Sequence, residues 1–375
     1  MEEKTYLFLA STSTDVQWRK YSTGQKFQGI PGVELDKHGR LWATWYAGGK
    51  TEGPENFVFL VNSKDGLAWS QPLAVVDPPG NIRAFDPCLW RDPQGRLWWF
   101  WAQSYSERDG EIFDGRGGVW ATWLENEDPE NLSFAPPVRI AHGVMLNKPI
   151  VVSSGEWLLP TAVWEYWPVK LECLAGERFS NVTVSPDSGR SFFRRSGVNV
   201  PERCFDEHMF VELKDGRLWC LVRTLYGIGQ SFSSDGGYHW TPGEDSRLGG
   251  PNSRFHIRRL NSGNILLINH ADISAEDAFR SFQQKNYWRK RSHLQAFISL
   301  DEGKSWQGGL LLDEREKVSY PDATETKDGF IYAIHDYDRT GSGEILLSGF
   351  REKDILAGRL VCPGSFLKRV ISRLR

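Results

Sequence analysis

Six positions in the chain share one register. Ile30, Asp86, Leu146, Glu207, Arg254 and Tyr320 each lie nine residues before a glycine that opens an apolar run. Four of the six are polar or ionisable, at a place where packing alone would favour apolar side chains. Their neighbours add Arg83, Asn147, Lys148, Asp206, His208 and Asp322. Carboxylates, guanidinium groups and a phenol gathered at one point are costly to bury unless they are paired or put to use. The set therefore reads either as a functional site or as a buried polar network, and both need a fold that gathers six distant segments around an axis.

The glycines supply that fold. Gly39, Gly95, Gly155, Gly216, Gly263 and Gly329 each follow a polar turn and precede a run such as Leu41-Trp42-Ala43-Thr44-Trp45 or Leu218-Trp219-Cys220-Leu221. Successive glycines are 56, 60, 61, 47 and 66 residues apart. A second short apolar run precedes each turn, so every unit opens with a β-hairpin. A unit of this length has room for two further strands. Six four-stranded units around an axis make an all-β, six-bladed propeller, which exposes only short, protected strand edges. No helical period is sustained along the chain. The expected layout is one propeller domain over residues 1–360 and a short basic tail over 361–375. Tyr6-Leu7-Phe8-Leu9 is expected to pair with the last blade and close the ring, and 272–291 reads as a polar insertion in blade five, a lid over the axis or a partner contact.

A second motif, S-x-D-x-G-x-x-aromatic, recurs as Ser185–Phe192, Ser233–Trp240 and Ser299–Trp306, with a form one residue shorter at Ser63–Trp69. Its chemistry is structural: Ser and Asp satisfy turn N–H groups and Gly accepts positive φ. These repeats resemble the Asp boxes of the sialidase (neuraminidase) superfamily of BNR-repeat proteins, over roughly residues 25 to 350. The resemblance implies a glycan site on the propeller axis, a Tyr nucleophile deprotonated by a Glu, and three arginines gripping the sugar carboxylate. A carboxylate nucleophile would be repelled by the carboxylate on a sialic acid's anomeric carbon, whereas a neutral phenol is not; Tyr is a known exception to the two-carboxylate scheme.

Carried over by resemblance, Tyr320 matches the nucleophile and Glu207 its base. Arg223 and Arg291 match the second and third arginines. The first is missing, because Gly29 precedes Ile30-Pro31 where the family has arginine. Arg83 or Arg254 is the expected replacement; Lys148 offers charge without a guanidinium fork. The general acid should lie in the loop after the first hairpin, where Glu52 is the local candidate and Asp86 on the next blade its rival. Asn147, His208 and Asp322 are further candidates for substrate contact. The implied activity is that of a retaining exo-α-sialidase acting on the terminal sugar of a glycan. Two alternatives accompany it: a propeller glycosidase for a uronic, Kdo-like or neutral sugar, and a glycan-binding propeller without turnover.

Composition narrows the classes. The 375 residues are 40% hydrophobic and 25% charged, which excludes a disordered or fibrous chain. Lys+Arg 45 against Asp+Glu 48 gives a net charge of −3, with no basic field for nucleic acid or an anionic membrane. No apolar run approaches the ~18 residues of a membrane span, and the first ten residues do not read as a signal peptide. Five well-separated cysteines fit reduced thiols in a cytoplasmic protein. The eight histidines show no metal-ligand spacing and no phosphate- or dinucleotide-binding motif is present, so neither metal nor cofactor is expected. Seventeen Trp, 11 Tyr and 21 Phe are read as sheet-face packing, with one or two free to stack on a sugar ring.

Overall fold

The computed structural model of the protein describes residues 12–17, 21, 24–105, 113–164, 172–270 and 291–374. Six antiparallel sheets form the blades of a β-propeller, each a contiguous stretch of chain. Their innermost strands are Gln28–Leu35, Ile82–Arg91, Ile150–Val151, Met209–Glu212, His256–Arg259 and Val318–Glu325. The turn glycines 39, 95, 155, 216, 263 and 329 all sit at φ between 80° and 87°, a left-handed conformation that only glycine adopts without steric cost. In the first blade the turn is tied by Asp36, whose carboxylate accepts the N–H groups of His38 and Arg40 (2.8 and 2.9 Å) and the indole N–H of Trp42 at 3.1 Å. Asp92 does the same for Arg96 and Trp98 in the second blade. The tryptophan just after these two turns is thus a buried apolar wedge whose one polar atom is satisfied by the turn itself.

The Asp boxes lie at the blade peripheries. In Ser299–Trp306 the Ser299 hydroxyl accepts the Gly303 N–H at 2.8 Å, while Asp301 accepts the N–H and hydroxyl of Ser305 at 2.8 and 2.6 Å. A Cβ on Gly303 would fall 2.4 Å from the Trp219 ring of the preceding blade, so this glycine is fixed by packing as well as by its φ of 81°.

Six apolar clusters lie one at each junction between neighbouring blades. The junction of the last and first blades is built like the others: Ile334, Ile345 and Leu347 pack against Leu41, Trp45 and Phe59. Among the described residues, the contact that closes the ring is side-chain burial. One expectation changes. Among the described residues the sixth blade takes its four strands from residues 318–372, and the expected tail supplies the outermost of them: Phe366–Ser372 pairs with Glu344–Phe350. The domain boundary at 360 therefore cuts through a blade. At the other end, Thr12–Ser13 pairs with Ala74–Val76 on the rim of the first blade, and Tyr6–Leu9 lies outside the described residues, as does all of the polar insertion except Arg291. No helix among the described residues is long and apolar enough to cross a membrane.

Candidate active site

Three innermost strands carry a register shift, between Gly29 and Gly32, Phe85 and Cys88, and Ser319 and Asp322. The residues inside these bulges are Ile30-Pro31, Asp86-Pro87 and Tyr320-Pro321. Ile30, Asp86 and Tyr320 have φ of 58°, 48° and 54°. A bulge breaks strand alternation and re-aims a side chain, and proline fits because the ladder needs no N–H there. Glu207 reaches the same conformation differently. Phe205, Asp206 and Glu207 are three successive left-handed residues, with φ of 59°, 61° and 40°. Such backbone persists only where its surroundings over-determine it. Here the Asp206 carboxylate accepts hydrogen bonds from Ser180 and Arg203 (2.8 and 2.9 Å), and its carbonyl accepts the Arg223 N–H at 3.0 Å. The Asn147 amide donates to the carbonyls of Glu207 and His208 at 2.8 and 3.0 Å.

These distortions bring a phenol, a carboxylate and a guanidinium into one contact. The Tyr320 hydroxyl donates to Glu207 Oε1 at 2.6 Å. Arg223 Nη1 donates to the Tyr320 oxygen at 2.8 Å and lies 2.7 Å from the same Glu207 oxygen. All three side chains are buried. Arg223 is oriented by Asn252, whose Oδ1 accepts its Nε–H at 2.6 Å, and the Asn252 carbonyl accepts from Arg291 Nη2 at 2.9 Å. Arg291 lies 5.5 Å from the centre of the Tyr320 ring. Burial pushes the Tyr320 hydroxyl well above the usual phenol value, opposed by Arg223, Arg291 and Arg339 and reinforced by Glu207. Burial also lowers Arg291 to about 10, and repulsion from Arg223 and Arg339 adds to that shift.

Around this contact lie further ionisable groups. Asp86 is pushed up to about 8, first by burial and then by the negative charges of Glu52 and Glu207. Arg83 packs its guanidinium 3.9 Å from the Phe85 ring centre and 5.6 Å from that of Tyr46. Glu52, on the loop after the first hairpin, is partly exposed and lies 3.5 Å from Arg339. The Tyr46 hydroxyl is buried with no hydrogen-bond partner among the described residues, and Glu52 and Asp86 reinforce the upward shift that burial imposes on it. A cleft of about 480 Å³ opens beside Tyr320, lined in part by Glu52, Arg291, Ser319 and Arg339.

The other sequence candidates are engaged elsewhere. Lys148 Nζ donates to the carbonyls of Val33 and Leu89, both at 2.6 Å, and lies 3.2 Å from both Glu34 and Asp322. Arg254 donates to Asn147 Oδ1 at 2.6 Å and to the Pro31 carbonyl at 3.2 Å. Asp322 accepts the Val33 N–H at 2.9 Å and faces His256 at 3.3 Å. Lys148, Asn147, Arg254 and Asp322 thus form a polar plug that ties inner strands together; the link Arg254–Asn147–Glu207 makes it the support of the Glu207 turn. His208 points away, its Nε2 against the Asn181 carbonyl at 2.9 Å, and burial lowers it to about 4. The buried polar network read from the sequence is thus built from Lys148, Asn147, Arg254 and Asp322, while Glu207 and Tyr320 meet in a separate buried contact. Among the described residues no group of three or more His, Cys, Asp or Glu is placed to hold a metal ion.

Sequence reasoning missed Arg339, Tyr46 and Asn252. Arg339 lies in the loop after Ile331–Tyr337 and belongs to no repeat register. Its only trace in the sequence is the side chain missing at position 29.

The BNR repeat-like domain family matches residues 39–333. No curated protein matches the chain by sequence. Among solved structures, a protein of unknown function from Dyadobacter fermentans is 16% identical, with 86% of this chain and 93% of that chain covered, at a TM-score of 0.60. The Hadza microbial sialidase Hz136 is 14% identical over 88% of this chain and 66% of its own, at 0.66. The intramolecular trans-sialidase from Ruminococcus gnavus, in complex with oseltamivir carboxylate, is 13% identical over 90% and 96%, at 0.62. At such identities the likeness is one of fold. Repeats, blades and a family match over most of the chain agree, and the protein belongs to the BNR repeat-like domain family, with a sialidase-like propeller.

Proposed function

We propose that the protein is a retaining exo-glycosidase of sialidase type, releasing a terminal α-linked sialic acid or a related acidic sugar. The observation that carries this reading is the Tyr320–Glu207 hydrogen bond of 2.6 Å, completed by Arg223. A phenol with so high a pKa keeps its proton at neutral pH, so it attacks only as a base removes that proton. Glu207 Oε1 is within transfer distance, and its Oε2 is buried with no hydrogen-bond partner among the described residues. Arg223 bonds both oxygens and stabilises the negative charge wherever it resides during the transfer.

In the proposed reaction the Tyr320 oxygen forms a bond to the anomeric carbon as the glycosidic C–O bond breaks. Glu207 accepts the phenol proton, and Glu52 donates a proton to the departing oxygen. Glu52 fits this task because the aglycone of an exo-enzyme leaves toward solvent, and Glu52 lines the open cleft whereas Asp86 is buried. Water then cleaves the tyrosyl bond, giving its proton to Glu52 while Glu207 returns the other proton to Tyr320. Arg223 and Arg291 face the sugar carboxylate. Asp86, protonated at neutral pH, and Tyr46 offer hydrogen bonds to the ring substituents.

The test sets α-sialosides, β-uronosides and neutral aryl glycosides side by side with the wild-type chain. Turnover confined to the sialoside supports the proposal. Turnover of a uronoside or neutral glycoside alone would move the substrate class, and binding of sialic acid without turnover of any substrate would make the ring a glycan-binding module.

A further inference from the structure

We infer that Arg339 supplies the third guanidinium of the carboxylate cradle, reaching in from the sixth blade to occupy the space that a side chain at position 29 would fill. Gly29 precedes the first bulge, yet its backbone does not lie in the left-handed region, so its conformation does not require glycine. What excludes a larger residue is one neighbour. A Cβ on Gly29 would meet Arg339 Cδ at 2.6 Å, Cγ at 2.8 Å and Nε at 3.0 Å. The stem of Arg339 thus lies across the bare backbone of the first blade.

Its guanidinium is held in place rather than left to drift. Arg339 Nε donates to Asp336 Oδ2 at 2.9 Å and Nη2 to the Ser319 hydroxyl at 3.0 Å. Asp336 also accepts the Ile30 N–H at 2.8 Å and the Ser319 hydroxyl at 2.6 Å, so one carboxylate fixes Arg339 and both flanking bulges together. This sets the guanidinium 4.2 Å from the centre of the Tyr320 ring, beside Arg291 and lining the same cleft. Three guanidinium groups converge on one phenol, a costly arrangement that an arriving carboxylate relieves. The Glu52 contact, at 3.5 Å, is the loosest that Arg339 makes. A sugar carboxylate seated on Arg339 would displace it and leave Glu52 free to face the departing oxygen.

This rests on the proposed function and deepens it. The test compares Arg339→Ala, Arg339→Gln and the double variant Gly29→Arg/Arg339→Ala. The probes are an aryl α-sialoside, an unsaturated sialic acid analogue and the carboxamide of that analogue. Removing Arg339 should lower kcat/KM and affinity for the carboxylate probe about 100-fold, while affinity for the carboxamide changes less than about 3-fold. The double variant, with an arginine stem entering from the opposite strand, should recover about 10-fold or more. Arg339→Gln keeps the stem over Gly29 and reports the loss of charge should the alanine variant melt early. Equal losses on both probes would mean a purely structural role and overturn the inference. Wild-type turnover in Arg339→Gln would overturn it alone, leaving the sialidase reading intact. A wild-type chain that neither binds nor turns over acidic sugars would overturn both.

Discussion

Replacing Tyr320 with phenylalanine removes one oxygen from the centre of the site and nothing else. That oxygen donates to Glu207 at 2.6 Å and accepts from Arg223 at 2.8 Å. The Glu207–Arg223 contact of 2.7 Å survives, so no buried charge loses its partner. The cost in stability is then that of the lost hydrogen bonding, about 1 kcal/mol, and a melting shift of about 1–3 °C in a domain of this size. The cost in turnover is of another order. With the nucleophile gone, kcat should fall on the order of 10⁴-fold, or ~5 kcal/mol of barrier. Glu207→Ala makes the contrast: it strips the partner from a buried Arg223, which costs about 3–5 kcal/mol of stability, as well as activity. Melting curves and aryl α-sialoside kinetics on the two variants separate the terms. A Tyr320→Phe enzyme that folds as wild type and keeps kcat within tenfold would refute the nucleophile. A Tyr320→Phe melting loss as large as that of Glu207→Ala would refute the independent Glu207–Arg223 pairing.

Glu52→Gln should lower kcat/KM for substrates with poor leaving groups by about 10²–10³-fold, yet barely change kcat/KM for a nitrophenyl sialoside, whose departure needs no proton, although its kcat falls because the water step still needs Glu52 as base; equal losses of kcat/KM on both would remove Glu52 as the acid. Asp86 gives a pH signature. In the fold it stays protonated up to about pH 8, whereas in an unfolded chain it ionises near pH ~4. Between those values the folded state binds more protons, so wild-type stability falls as pH rises and levels off above the upper value. Asp86→Asn lacks this term, so its melting temperature relative to wild type should climb from pH 5 to 8; a constant gap would mean that Asp86 is ionised in the fold. Lys148→Ala leaves Glu34 and Asp322 buried without their ammonium and should cost about 3–5 kcal/mol; wild-type thermal stability in this variant would contradict the plug.

The sequence revealed the fold because its turns are chemical repeats: the same Gly at positive φ and the same Ser-Asp box recur where strand and turn lengths are fixed. That periodicity also located Asp86, Glu207 and Tyr320, through a shared distance from the turn glycine. It did not separate them from Arg254, which holds the same register yet faces the plug. The discriminating mark is local: Asp86 and Tyr320 precede proline inside a bulge, whereas Phe255 follows Arg254. Glu207 carries no such mark, since its left-handed turn is held by Asn147, Ser180 and Arg203 from elsewhere in the chain. Arg339 was illegible for a related reason. Its position is set by contact with the first blade, across 310 positions of sequence, and no local pattern encodes a contact at that range.

Because every sheet among the described residues is continuous in the chain, and the junction between the sixth and first blades is apolar like the other five, the place where the polypeptide starts is topologically arbitrary. A circular permutant opened between Val200 and Pro201, with a flexible peptide joining the original ends, keeps each ladder whole. It should therefore circularise into the same disc and bring Glu207 and Tyr320 back together, although they would then lie in a changed order relative to Asp86.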